Sequence, residues 1–281
     1  MLRTRVLTAL LLLPLVLWAI FATSEETFSY ITIIVFSVAA WEWSRLAGLQ
    51  QQYAQILYVL IFIAVITLAV NLTQNNKAIV FLVMTIAFLF WSLCWIIIYR
   101  LNRNSIQPVR VKTKSKLFIN ALVGFFVLLP SAMAMIFLHA YAANGPWLML
   151  AAMLLVWVAD SGAYFSGRAW GRTKLAVNVS PGKSWEGVFG AFGATALVAI
   201  IAGIRFEYSG YMLLAFVLLC LVTVWYSILG DLLESVFKRL AGMKDSSHLI
   251  PGHGGILDRI DSQTSALPIF TFGLLILEKV A

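Results

Sequence analysis

Charge is what this sequence has least of. Charged residues fill 11% of 281 positions and hydrophobic residues 62%, with a mean hydropathy of +0.92, so the chain is suited to lipid rather than water. Its two cysteines, Cys94 and Cys220, lie far apart inside apolar runs, which argues against a disulfide or a cysteine metal site. Acidic residues are scarcer than basic ones, 12 against 20, and only Glu25, Glu26 and Glu42 precede residue 140. The resulting charge of +8 raises nucleic-acid binding. Cationic loops also follow from membrane insertion and from attraction to anionic headgroups, so no nucleic-acid partner is expected. There is no internal repeat and no low-complexity tract.

What is abundant is long apolar sequence. A bilayer core needs about 20 apolar residues per helix, and runs at 6–22, 28–44, 54–72, 78–99, 118–140, 146–160, 186–204, 210–230 and 264–278 meet or approach that length. The first has the look of a secretory signal, with Arg3 and Arg5 before a Leu-rich core, but no small-residue cleavage site follows, so a retained hairpin is expected. The fold class is therefore an all-α integral membrane protein with about nine transmembrane helices. With the N-terminus in the cytoplasm, 17 of the 20 Lys and Arg residues fall inside and only Lys77, Arg205 and Lys279 outside, which puts the C-terminus on the outer side. The basic loop Arg100 to Lys116 divides an N-terminal group of helices, 1–116, from a C-terminal one, 117–281.

Polar residues then stand out by position. Glu42, in Ala40-Trp41-Glu42-Trp43-Ser44-Arg45, reads as a structural carboxylate paired with Arg45 on one helical face, and both Trp residues as interfacial anchors. Asp160 closes the sixth run and is followed by small residues that admit close approach. Gly182-Lys183-Ser184 imitates the end of a phosphate-binding P-loop, but Val177 stands where that motif needs glycine. Ser180-Pro181 instead reads as the cap and first turn of the seventh helix, whose free N–H groups attract anions, with Lys183 adding charge.

The eighth helix, continued past the bilayer, would set Asp231, Glu234, Ser235 and Lys238 on one face. Glu234 and Lys238 make a plain ion pair, whereas Asp231 has no basic residue one turn away. In the stretch from His248 to Ser262, Pro251-Gly252-His253-Gly254-Gly255 cannot be a comfortable helix, and Ile256 can begin one. Asp258 and Asp261 then face one way and present oxygens to a hard cation such as Mg²⁺, beside the forked donor Arg259. His253 among glycines reads as a turn residue, and His139 as structural.

Ser235, Lys238-Arg239, Lys244-Asp245, Pro251-Gly252-His253-Gly254-Gly255 and Asp258-Arg259-Ile260-Asp261, with these gaps, resemble the signature of the phosphatidate cytidylyltransferases, or CDP-diacylglycerol synthases. Segments 157–164 and 180–187 are similar to further segments of that family. Ser247 stands where Gly is expected and would be strained at positive φ; Ser184 stands where Thr is common.

The resemblance implies transfer of CMP from CTP to phosphatidic acid, giving CDP-diacylglycerol and pyrophosphate, with Mg²⁺ and a second cation. It implies Asp231 and Asp258 as metal ligands and a catalytic set of Asp160, Lys183, Lys238, Arg239 and Asp261. Lys174, Ser180, Ser235, Lys244, His253, Gly254, Gly255 and Arg259 would bind substrate. It also implies a site at the cytoplasmic face of a bacterial inner membrane and is compatible with a homodimer. A transporter fits less well, because the carboxylates gather at one face instead of marking a path across. A CTP-dependent polyprenol kinase would share the phosphate site but not the full signature.

Overall fold

The computed structural model describes residues 2–73, 76–102, 113–141 and 144–280. Nine helices follow one another among them: α1 (Leu2–Ala22), α2 (Glu25–Leu46), α3 (Gln52–Thr73), α4 (Lys77–Asn102), α5 (Lys114–His139), α6 (Gly145–Trp170), α7 (Trp185–Arg205), α8 (Gly210–Leu240) and α9 (Leu257–Val280). Each answers to one expected apolar run. Seven, α3 to α9, are long and apolar enough to cross a membrane. The described apolar stretch of α1, Leu10–Ala22, is shorter, and α2 is interrupted by Ser, Thr, Tyr and Glu42. Arg103, Arg110 and Lys112 of the basic loop lie outside the described residues.

Lipid tails are as apolar as leucine, so helices associate here through close packing and hydrogen bonds more than through hydrophobic burial. Gly162 of α6 faces Gly190 of α7 so closely that a Cβ on Gly162 would stand 2.7 Å from the Gly190 carbonyl oxygen. Trp43 of α2 and Tyr58 of α3 donate to carbonyls of α5, at Asn120 (2.9 Å) and Ala121 (3.0 Å). Trp43 is thus a buried packing residue, not the interfacial anchor its type suggested. Two apolar clusters result, one around Phe36, Trp43, Phe62 and Trp91, the other around Met149, Phe216 and Phe270. Leucines such as Leu60, Leu89, Leu197 and Leu214 remain exposed, as lipid-facing residues would.

Two local expectations are corrected. Helix α6 runs ten residues past Asp160, because Gly162 and Ala163 pack against Gly190 and Gly187 of α7, while Ser161 and Ser166 satisfy their hydroxyls on the Trp157 and Gly162 carbonyls (2.8 Å each). Ser180-Pro181 does not cap α7; it opens a strand, so the fold is not purely helical. Strands β1 (Lys174–Ala176) and β2 (Ser180–Ser184) form an antiparallel hairpin in the register Lys174 with Ser184 and Ala176 with Ser180. The cap of α7 is Ser184, whose hydroxyl accepts from the Gly187 N–H at 3.2 Å. As the sequence suggests, helix α9 begins ahead of its apolar run, at Leu257, which carries Asp258 and Asp261 into its first turns.

Candidate functional site

The C-terminal ends of α6 and α8, the hairpin, and the N-terminal ends of α7 and α9 meet at one end of the bundle. Asp160, Lys183, Asp231, Asp258, Arg259 and Asp261 line a cavity of about 550 Å³ there, together with Tyr164 and Arg168. A second cavity of about 560 Å³ is lined by Lys244, Asp245, His248, His253, Gly254 and Arg259. Arg259 belongs to both, so the two spaces adjoin at that residue.

Within the first cavity Lys183, on β2, meets Asp231, on α8, at 2.7 Å. This supplies the partner that the α8 sequence lacks. Ser235 donates to the other Asp231 oxygen at 3.2 Å. One turn further on, Lys238 bridges two helices: it lies 3.1 Å from Glu234 on its own helix and 2.7 Å from Asp258 of α9. The expected Glu234 and Lys238 pair is therefore present, but as half of a buried triad, with Glu234 only 2% exposed.

Asp258 is the most constrained of these carboxylates. Its Oδ1 accepts from Lys238 and its Oδ2 from the Ser246 N–H (2.8 Å), the Ser246 hydroxyl (2.9 Å) and the Gly255 N–H (2.8 Å). Gly254, at φ +85°, makes room for it: a Cβ there would stand 2.6 Å from Asp258 Oδ2. The loop before α9 closes on itself, Ile250 N–H donating to the Gly254 carbonyl (2.8 Å) and His253 N–H to that of Ile250 (2.9 Å). His253 is thus built into a turn and also lines the second cavity.

Several expected site residues line neither cavity. Lys174 is exposed on β1, Ser180 opens β2, and Arg239 is exposed in the last turn of α8. Gly255 is buried behind the loop. Ser247 poses no backbone strain, since Glu207 is the one non-glycine residue at positive φ among the described residues.

The pairing expected of Glu42 is corrected. Glu42 does not pair with Arg45, whose guanidinium lies over the Trp41 ring at 5.2 Å. It is fully buried against the loop before α9, where Ser246 stands between it and Asp258. Only the oddity of a carboxylate in an apolar run hinted at this.

Four carboxylates facing a lysine and two arginines across one cavity suit a phosphate accompanied by a hard cation. Among the described residues no group of three acidic, His or Cys side chains stands as a ready-made metal cage. Mg²⁺ does not require one, since it usually takes one or two carboxylates and completes its shell with water and substrate phosphates. The oxygen donors of Asp231 and its neighbours fit that habit.

Comparison with known proteins places the chain in a family. The model of the cytidylyltransferase family matches residues 3–277. A phosphatidate cytidylyltransferase of Pseudomonas aeruginosa is 42% identical over 96% of this chain and 96% of its own. One of Haemophilus influenzae is 39% identical over 97% of this chain and 98% of its own, and one of Bacillus subtilis 39% identical over 43% and 45%. With a family match over nearly its whole length and full-length relatives of this kind, the chain belongs to the cytidylyltransferase family of nucleotidyltransferases.

Proposed function

We propose that the chain transfers CMP from CTP to phosphatidic acid, releasing pyrophosphate and making CDP-diacylglycerol for phospholipid synthesis. The observation that carries this reading is the paired cavities joined at Arg259, one rich in carboxylates, the other lined by Lys244, His248 and His253. A lipid phosphate oxygen attacks the α-phosphorus of CTP, forming the new P–O bond as the bond to pyrophosphate breaks. No strong base is needed, because a phosphate monoester is already largely deprotonated near neutral pH. The chain's part is to hold two anions in line and offset their charge. Lys183 and Arg259 face the first cavity, Lys244 the second, and Lys238 and Arg239 add positive charge on α8. Asp231 and Asp258 would hold Mg²⁺, with Asp160 and Asp261 nearby for a second cation. Bound there, Mg²⁺ would offset charge on the triphosphate and on the leaving pyrophosphate.

Location follows the same logic. Phosphatidic acid keeps its phosphate at headgroup level and CTP comes from the cytosol. A cavity at the end of the bundle that carries Arg168, Arg172, Lys174, Lys238 and Lys244, opposite Lys77, Arg205 and Lys279, supports a cytoplasm-facing site in a bacterial inner membrane.

The test is pyrophosphate release by detergent-purified protein given phosphatidic acid, CTP and Mg²⁺, each omitted in turn. CDP-diacylglycerol formation that needs all three is the expected result. Phosphorylation of a polyprenol by CTP instead, or turnover of neither, would overturn the reading.

A further inference from the structure

A carboxylate wholly buried on α2 requires an explanation, because an isolated charge in that setting is costly unless paired and hydrogen-bonded. Among the described residues Glu42 makes no ion pair. Donors surround it instead: Oε1 accepts from the Ser247 hydroxyl (2.5 Å) and the Ile256 N–H (3.1 Å), and Oε2 from the Leu257 N–H (2.7 Å), while the single Ser246 hydroxyl proton is shared between Oε2 (3.1 Å) and Asp258 Oδ2 (2.9 Å). Ile256 and Leu257 stand at the start of α9, where N–H groups lack partners within the helix. Glu42 is thus the N-terminal cap of α9, supplied from another helix 215 residues away.

The cap is also tied to the proposed reaction centre. Ser246 lies between Glu42 Oε2 at 3.1 Å and Asp258 Oδ2 at 2.9 Å, and its N–H donates to Asp258 as well. Gly255 passes so close to both Ser246 and Glu42 that no side chain fits at that position. A well-packed apolar residue would fasten α2 to α9 at least as strongly as a buried ion does. What it would not supply is direction, an acceptor that fixes the rotation of the Ser246 hydroxyl and the first turn carrying Asp258 and Arg259.

We infer that Glu42 is a positioning residue for phosphate transfer, acting through Ser246 and the first turn of α9 to hold Asp258 and Arg259 in place. This inference rests on the proposed function. The experiment uses the full chain in detergent, with Glu42→Gln, Glu42→Asp, Ser246→Ala and Ser247→Ala. It reads kcat and KM for CTP, the melting temperature, and hydrogen exchange at Ile256 and Leu257. Misplacement by a fraction of an ångström predicts a kcat loss of about tenfold or more in Glu42→Gln, with KM within about threefold and partial rescue by Asp. Exchange at the two amides rises.

Ser246→Ala takes a hydroxyl from Glu42 and Asp258 together, so it lowers kcat by more than its drop in melting temperature accounts for. Ser247→Ala touches Glu42 but not Asp258 and moves the melting temperature more than kcat. A folded Glu42→Gln or Ser246→Ala protein with wild-type kcat overturns the inference, as do activities that merely track melting temperature across the set. If Glu42→Gln fails to accumulate, Ser246→Ala decides. If the wild-type chain does not turn over phosphatidic acid and CTP, the functional reading fails by itself. Unchanged exchange at Ile256 and Leu257 in Glu42→Gln would then overturn the positioning role, and raised exchange would uphold it.

Discussion

Replacing Asp231 by Asn removes one negative charge and almost no volume, so it separates the chemistry of this carboxylate from its packing. Asp231 lies 2.7 Å from Lys183, and at an effective dielectric of about 20 two unit charges at that distance attract by about 6 kcal/mol. Desolvation offsets most of this. Breaking a fully buried pair costs about 3–5 kcal/mol, and with 24% of the Lys183 side chain and 30% of Asp231 exposed we expect about 1–2 kcal/mol of lost stability. The melting temperature should drop by a few degrees and the protein should remain folded. Loss of a metal ligand at the reacting phosphates should instead cost at least two orders of magnitude in kcat, about 2.7 kcal/mol of barrier. The assay is pyrophosphate release over a range of Mg²⁺ concentrations, with Lys183→Met alone and combined with Asp231→Asn. If Asp231 served only to neutralise Lys183, the double variant would recover activity. Recovery of that kind, or turnover by Asp231→Asn within about threefold of wild type at all Mg²⁺ concentrations, would refute the assignment.

Three further outcomes are expected. Asp258→Asn turns an acceptor of four hydrogen bonds into a group that must point an NH₂ at a donor, and should lower kcat at least about a hundredfold in folded protein, measured by the same assay. Gly254→Ala combines a φ of +85° with a Cβ 2.6 Å from Asp258 Oδ2, so it should cost about 1–3 kcal/mol and most of the activity; a wild-type melting curve would contradict this. Val177→Cys, exposed beside β1, should react with a membrane-impermeant maleimide only from the cytoplasmic side, and Lys279→Cys only from the other. Native Cys94 and Cys220 are buried and should give little background. Labelling of both new cysteines from one side would reject the proposed topology.

The sequence located every helix but fewer of their ends. Lipid imposes an apolar run of a given length, so hydropathy marks where hydrocarbon begins and stops. It does not mark where a helix stops, and α6 and α8 continue into polar sequence as far as Trp170 and Leu240. The eighth extension was legible because Asp231, Glu234, Ser235 and Lys238 keep helical spacing. The sixth was not, because Ser161, Gly162 and Ala163 also fit a loop, and only their packing on Gly190 shows why they are small. Ser180-Pro181 suits a helix start and an edge strand equally well. Pairing of Ser184 with Lys174 resolves it. Among signature residues, Lys244, His253, Gly254, Asp258, Arg259 and Asp261 line the two cavities while Arg239 and Gly255 line neither, and Glu42 was given a neighbour in sequence as its partner. Its real partners begin at Ser246, and no local spacing rule reaches that far.

The charges of the site also explain how it persists without substrates. Lys183 is held by Asp231, and Lys238 by Glu234 and Asp258, so the cations that would face phosphate are already neutralised by carboxylates that would face a metal. On the proposed reading, entry of phosphate oxygens draws Lys183 away from Asp231 and frees that carboxylate for Mg²⁺. Anion and cation therefore reinforce one another, since either alone leaves a half-buried charge uncompensated. A single Lys183→Met substitution should then weaken both CTP binding and activation by Mg²⁺, although lysine cannot bind a cation. An unchanged Mg²⁺ dependence in that variant would separate the two charges and sink this exchange of partners.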